Sequence, residues 1–147
     1  MTADPTNTPA RGFRGLRVWH EAVALATEAF HVADALPSAH AGLADQIRRA
    51  AGSVHANIAE GSTRPSRRDF LRFIGMARGS LAELEAHVEL ARRATLISEE
   101  LLTPVFTRAR HVGRLLPALA RALRRRDDAV PQTRHRRQDA PPKTHDR

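Results

Sequence analysis

The sequence predicts an all-α protein: an antiparallel up-and-down four-helix bundle with disordered N- and C-terminal tails. Three observations lead there. Four segments between residues 14 and 124 repeat apolar side chains every three or four residues. Short connections bearing proline, glycine or serine separate them, and none shows the strict alternation of a half-buried strand. The flanking stretches, 1–13 and 125–147, carry no apolar periodicity and are rich in proline, threonine and charge, so they read as a disordered arm and a disordered basic tail. At 147 residues the chain is one domain, long enough to bury a core without disulfides or metals.

The first helix spans about Leu16 to Leu36. Trp19, Ala22, Val23, Ala26, Phe30 and Ala33 share one face, Arg17, Glu21, Glu28 and His31 lie elsewhere, and Pro37 stops it. The second spans about Ala41 to Glu60 on a stripe of Leu43, Ile47, Ala50, Val54 and Ile58, with Gly61 as its C-cap. The third follows Pro65. Ser66 caps it with Asp69 three residues on, and Phe70, Phe73, Ile74, Ala77, Leu81, Leu84, Val88 and Ala91 form its core face to about Ala94. The fourth opens at Ser98, with Glu99 and Glu100 where the helix dipole favours acids. Its stripe is Leu102, Val105, Phe106, Ala109, Val112, Leu116 and Leu119, and Pro117 is expected to kink or end it.

Several function classes fall away on composition. The absence of cysteine excludes disulfides and thiol chemistry. The N-terminus has no apolar run resembling a signal peptide, and no stretch approaches the roughly 18 apolar residues of a membrane span. A cytoplasmic protein without membrane contact is expected.

Polar residues gather on the flanks of two core stripes. Gln46, Ser53, Asn57 and Glu60 line the second helix, and Ser80, Glu83 and His87 line the third. Joined by a tight turn, these helices pack antiparallel and their flanks meet as a hydrogen-bonded seam. The competing reading, an acid–base site of Glu60, Glu83 and His87, lacks a nucleophile, a phosphate-cradling loop and oxyanion donors, so no catalytic residue is assigned. A di-iron bundle needs two Glu-x-x-His pairs, and only Glu28 with His31 has that spacing. No metal and no other cofactor is expected.

Charge is the remaining signal. The formal net charge is +8, and every basic residue but Lys143 is arginine, the side chain that grips phosphate bidentately. Residues 121–147 alone carry nine basic and four acidic residues. A solvated tail explains that stretch as well as a polyanion partner does. Within the bundle, Arg48, Arg49, Arg64, Arg67, Arg68 and Arg72 are the candidate nucleic-acid contacts, read as one cluster. Aromatic residues are few and most lie on core stripes, so backbone or shape recognition is expected rather than base stacking. Opposite the core face of the third helix, Gly75, Gly79, Ala82, Ala86 and Leu90 form a small or apolar strip, a candidate oligomer interface.

The stretches "GLRVWHEAVALA" and "GLADQIRRAAGSVHANIAEGSTRPSRRDFLRFIGMARGSLAELEAHVELA" resemble a bacterial four-helix-bundle family of proteins encoded by intervening sequences of large-subunit ribosomal RNA genes. That family is similar to the accessory variability protein of diversity-generating retroelements. The resemblance covers about Leu16 to Leu123 and is strongest at Gln46-Ile47-Arg48, Asn57-Ile58-Ala59-Glu60-Gly61, Ala77 and Gly79 to Leu84. It implies a closed bundle, a ring-like homopentamer and no established enzymatic activity. For the retroelement relative it implies binding to nucleic acid and to a reverse transcriptase. Pro117 and the basic tail depart from the pattern. The combined expectation is a non-enzymatic, oligomeric module that binds RNA or DNA, with further copies of itself and a reverse transcriptase or other protein as partners. The alternative is a protein-interaction scaffold.

Overall fold

A computed structural model describes residues 12–128. Four helices account for almost all of them: α1 (Arg17–Ala35), α2 (Ala41–Ser62), α3 (Arg67–Arg93) and α4 (Glu99–Asp128). A 3-10 turn, Gly12–Gly15, leads into α1 and a second, Ser38–His40, leads into α2. Each helix packs on its two neighbours in the cycle α1–α2–α3–α4, which is the up-and-down bundle. Helical structure reaches beyond the expected bundle bounds of 14 and 124, since Gly12 and Phe13 belong to the first turn and residues 125–128 to α4. The rest of the expected tails, 1–11 and 129–147, lies outside the described residues.

The core face of α1 is rotated from the expected one. Val18, Ala22, Leu25, Ala26, Ala29, Val32 and Ala33 are buried, whereas Trp19 and Val23 are half-buried and Phe30 is 43% exposed. Apolar residues flank the stripe on both sides here, so periodicity permits two overlapping arcs and packing selects one. On α2 the buried set is Ala44, Ile47, Ala50, Ala51, Val54 and Ile58, with Leu43 at its margin.

Gly61 is not a C-cap. It is buried inside the last turn of α2, which closes at Thr63 with an N–H donated to the Glu60 carbonyl at 3.1 Å. A Cβ at Gly61 would stand 2.7 Å from Phe70 Cδ2 and 2.7 Å from Phe73 Cβ. The glycine therefore lets the first turns of α3 lie against the end of α2. Ser66 caps α3 as expected: its Oγ accepts from Asp69 N at 3.0 Å and its hydroxyl donates to the Asp69 carboxylate at 2.9 Å. At the other end Thr95, with φ 56°, occupies the left-handed position of a Schellman closure, and Leu96 N donates to Ala91 O at 3.0 Å.

Pro117 neither ends nor interrupts α4. The helix runs through Pro104 and Pro117, and its buried stripe continues past the second proline in Ala120 and Leu123. Each proline forfeits one backbone hydrogen bond and crowds the carbonyl four residues back, which after Pro117 belongs to Gly113. Burial of Leu116, Ala120 and Leu123 against the other helices outweighs that loss.

Adding one methyl at Gly61 tests the closeness of α2 and α3. Because Phe73 Cβ is fixed to the backbone, Gly61→Ala should destabilise the fold by about 1–3 kcal/mol in denaturant titration. Gly52→Ala, on the same helix with open space around the new methyl, should not destabilise it.

Candidate nucleic-acid interface

The polar seam contracts to three residues. Asn57, 9% exposed, donates from Nδ2 to the Ser53 carbonyl at 2.9 Å and to Ser53 Oγ at 3.0 Å. Ser80 Oγ crosses from α3 to Ser53 Oγ at 2.9 Å. The other expected members are not in it. Gln46, Glu60 and Glu83 are exposed; Glu60 pairs with Arg64, and Glu83 with His87 of its own helix at 3.5 Å. The Ser53–Ser80 contact sets the register, and it places Glu60 about 15 Å along the bundle from Glu83. The structure does not bring Glu60, Glu83 and His87 together.

The expected arginine cluster divides in two. Arg48 joins the top of α2 to the end of α1, with Nη2 2.7 Å from Asp34 and Nη1 3.4 Å from Asp45. The hydrogen bond to Asp34 raises its pKa above the ordinary guanidinium value. Arg48 and the exposed Arg49 stand about 20 Å along α2 from its far end, where Arg64, Arg67, Arg68 and Arg72 gather. There the Arg64 and Arg72 guanidinium groups lie 4.8 and 5.0 Å from the Phe73 ring centroid. The ring holds their charged planes in place.

What the sequence reading missed is who else arrives at this end. The bundle topology points the start of α1, with Arg14 and Arg17, and the finish of α4, with Arg121, Arg124, Arg125 and Arg126, toward the same end; Arg17 itself reaches His111 at 3.4 Å, about 15 Å along α4 from Arg121. Gly113 faces Leu81, and this register carries the last turns of α4 past the first turn of α3. Ten of the eighteen arginines between residues 12 and 128 thus share one end with only four acids, Glu60, Asp69, Asp127 and Asp128, an excess of six positive charges. The opposite end has four arginines against five acids. Pairing neutralises it further: Glu89 lies 2.7 Å from Arg93 and 2.9 Å from Arg92, and these hydrogen bonds hold its carboxyl below the usual range.

Two other features lie along the sides. Between α1 and α4, Glu21, Glu28, Thr103, Pro104, Thr107, Arg108, His111 and Arg114 line a cleft of about 550 Å³. Its charges compensate one another, Arg108 sitting 3.5 Å from Glu21 and 3.8 Å from Glu28, and His111 3.4 Å from Glu21. On the outer face of α3, Gly75, Gly79, Ala82, Ala86 and Leu90 are all exposed; a Cβ at either glycine would meet nothing within 4 Å, and Leu90 and the neighbouring Met76 are 55% and 46% exposed. No helix among the described residues is long and apolar enough to cross a membrane, and no three metal-ligating side chains converge there.

Trp19 also belongs to the basic end. Its indole packs against Phe13 with ring centroids 4.8 Å apart and against His20 at 5.0 Å, while Arg14 lies 4.7 Å over Phe13.

Comparison with known proteins supplies a family. A family model described as 23S rRNA-intervening sequence protein matches residues 14–118. No curated protein matches. Among solved structures, one of a protein of unknown function from the S23 ribosomal protein family of Bacteroides thetaiotaomicron superposes with a TM-score of 0.65. It is 24% identical and is covered over 97% of its length by 70% of this chain, so the likeness speaks for the fold.

The seam and the exposed ion pair should separate in stability measurements. Asn57→Ala should cost about 1–3 kcal/mol, because it strips the buried side of the Ser53–Ser80 contact. Glu60→Ala should stay within about 1 kcal/mol of the parent, as expected for a solvated pair. A reversed order in urea titration would return Glu60 to the seam.

Proposed function

The chain belongs to the 23S rRNA-intervening sequence protein family, and we propose that it acts as a non-enzymatic, oligomeric module that binds the phosphate backbone of RNA or DNA. The observation that carries this reading is the sorting of arginine to one end of the bundle. An excess of six positive charges toward one end of the bundle attracts a polyanion, and each phosphate it neutralises releases counterions. Guanidinium groups suit the task because they meet phosphate oxygens with two parallel hydrogen bonds. Arg64 and Arg72, held on Phe73, lose less freedom on binding than two unsupported side chains would. Contacts of this kind fix position on a backbone and carry no base sequence.

Oligomerisation would repeat the basic end and raise avidity without new contacts. The exposed strip of α3 is where another copy, or a reverse transcriptase or other protein, would pack, since its glycines leave room for a close helix. That strip also supports the second reading, a scaffold whose arginines only keep it soluble.

Fluorescence anisotropy with labelled 20-nucleotide RNA and DNA separates the two. The protein should bind both in about 50 mM salt and release them as salt rises. Changing Arg64, Arg68 and Arg72 together to glutamine should flatten the slope of log affinity against log salt by about one unit per lost contact. The same change at Arg49, Arg92 and Arg93 should leave it near the parent value. A chain ending at Asp128 should still bind. Should it fail while a peptide of residues 129–147 succeeds, the tail is an ordinary polycation and the scaffold reading takes over.

Light scattering addresses assembly. The protein should be an oligomer at micromolar concentration, five subunits being the size the family resemblance implies, and Gly79→Leu should dissociate it. A monomer would remove the α3 strip from the account.

A further inference from the structure

We propose that Trp19 is a base-stacking site, latched shut by the segment Gly12–Gly15, which opens to an unpaired nucleobase of a strand held at the basic end. The inference rests on the nucleic-acid reading above and adds what the sequence alone argued against, an aromatic platform.

Four observations carry it. Trp19 Nε1 is buried and has no hydrogen-bond partner among the described residues, although a buried indole N–H ordinarily finds one. The indole packs against the core cluster and, on its outer side, against the half-buried Phe13, whose ring is tilted 59° to it. The covering segment is weakly held. It is four residues long, contributes no buried residue and begins at Gly12 with φ 70°; it rests on α1 and α2 and is tied by Leu16 N to the Phe13 carbonyl at 2.9 Å and by His20 Nε2 to the Arg14 carbonyl at 2.8 Å. Finally, it sits where α1 begins, beside the end of α2, in the basic end of the bundle.

The exchange is physically balanced. Displacing Phe13 removes one aromatic contact, and a base stacked on the indole restores one of the same kind. The base brings carbonyl and ring-nitrogen acceptors, and the phosphate beside it brings oxygens, either of which can accept from the unpaired Nε1–H. Duplex ends offer no such base without unpairing, so the site selects single strands. The closed segment acts as a built-in competitor that keeps the apolar indole out of water until a strand arrives.

The chain has one tryptophan, so its indole emission reports on Trp19 alone. The full-length protein is titrated with a single-stranded uridine 20-mer and with an abasic oligomer of equal length and charge, following anisotropy and emission together. Both should bind in about 50 mM salt, the uridine strand at least about fivefold more tightly, and only it should change the emission. Phe13→Ala should tighten uridine binding without changing abasic binding, and Trp19→Phe should narrow the difference between the two. Equal binding with unchanged emission overturns the stacking site and leaves the backbone reading intact. Binding of neither oligomer overturns both.

Discussion

Helices α2 and α3 meet so closely that a single methyl group at Gly61 would collide with Phe73 Cβ at 2.7 Å. The rest of the bundle takes its register from that approach. With the two backbones held together at the turn, Ser53 and Ser80 fall opposite each other, and Asn57 is buried beside them with its donors satisfied on Ser53. A slip of one turn would break the Ser80–Ser53 hydroxyl contact, the polar bond that crosses from α3 to α2, while the Asn57 bonds lie within α2. Steric fit and polar complementarity thus fix one alignment together.

That alignment decides where charge goes. An antiparallel bundle places two helix N-termini and two C-termini at each end, so the helix dipoles nearly cancel and side chains alone set the polarity of the ends. Arg64 to Arg72 follow the α2–α3 turn to one end, and the start of α1 and finish of α4 bring six more arginines to it. At the other end Arg48, Arg92 and Arg93 are occupied by Asp34, Asp45 and Glu89. The total charge is a modest +8, but its distribution makes one end strongly basic and the other nearly neutral.

Local rules yield where burial is at stake. Pro104 and Pro117 sit inside α4, and Thr95 holds a left-handed conformation at the end of α3 that disfavours β-branched side chains. Each local cost is tolerated because the segments around it carry core residues: Leu102 and Val105 around the first proline, Leu116 and Ala120 around the second, and Ala91 before Thr95. The outer face of α3 is the counter-example. Its glycines satisfy no packing need within one chain.

The sequence by itself determined the four helices, their order and most of their core faces, because a 3.6-residue apolar period is a property of neighbouring residues. It also determined the Ser66–Asp69 cap and the Asn57 and Ser80 flanks that meet in the seam. Only tertiary structure decided which arc of α1 is buried, that Gly61 is a contact rather than a cap, and that α4 continues through Pro117. It alone separated Arg48 and Arg49 from Arg64 and turned the start of α1 and the finish of α4 toward the end that holds Arg64. The reason is one of distance. Residues sixteen apart on a helix and its following turn look like neighbours in a sequence but stand more than 20 Å apart, whereas Arg17 and His111, far apart in sequence, meet at 3.4 Å where α1 packs antiparallel on α4.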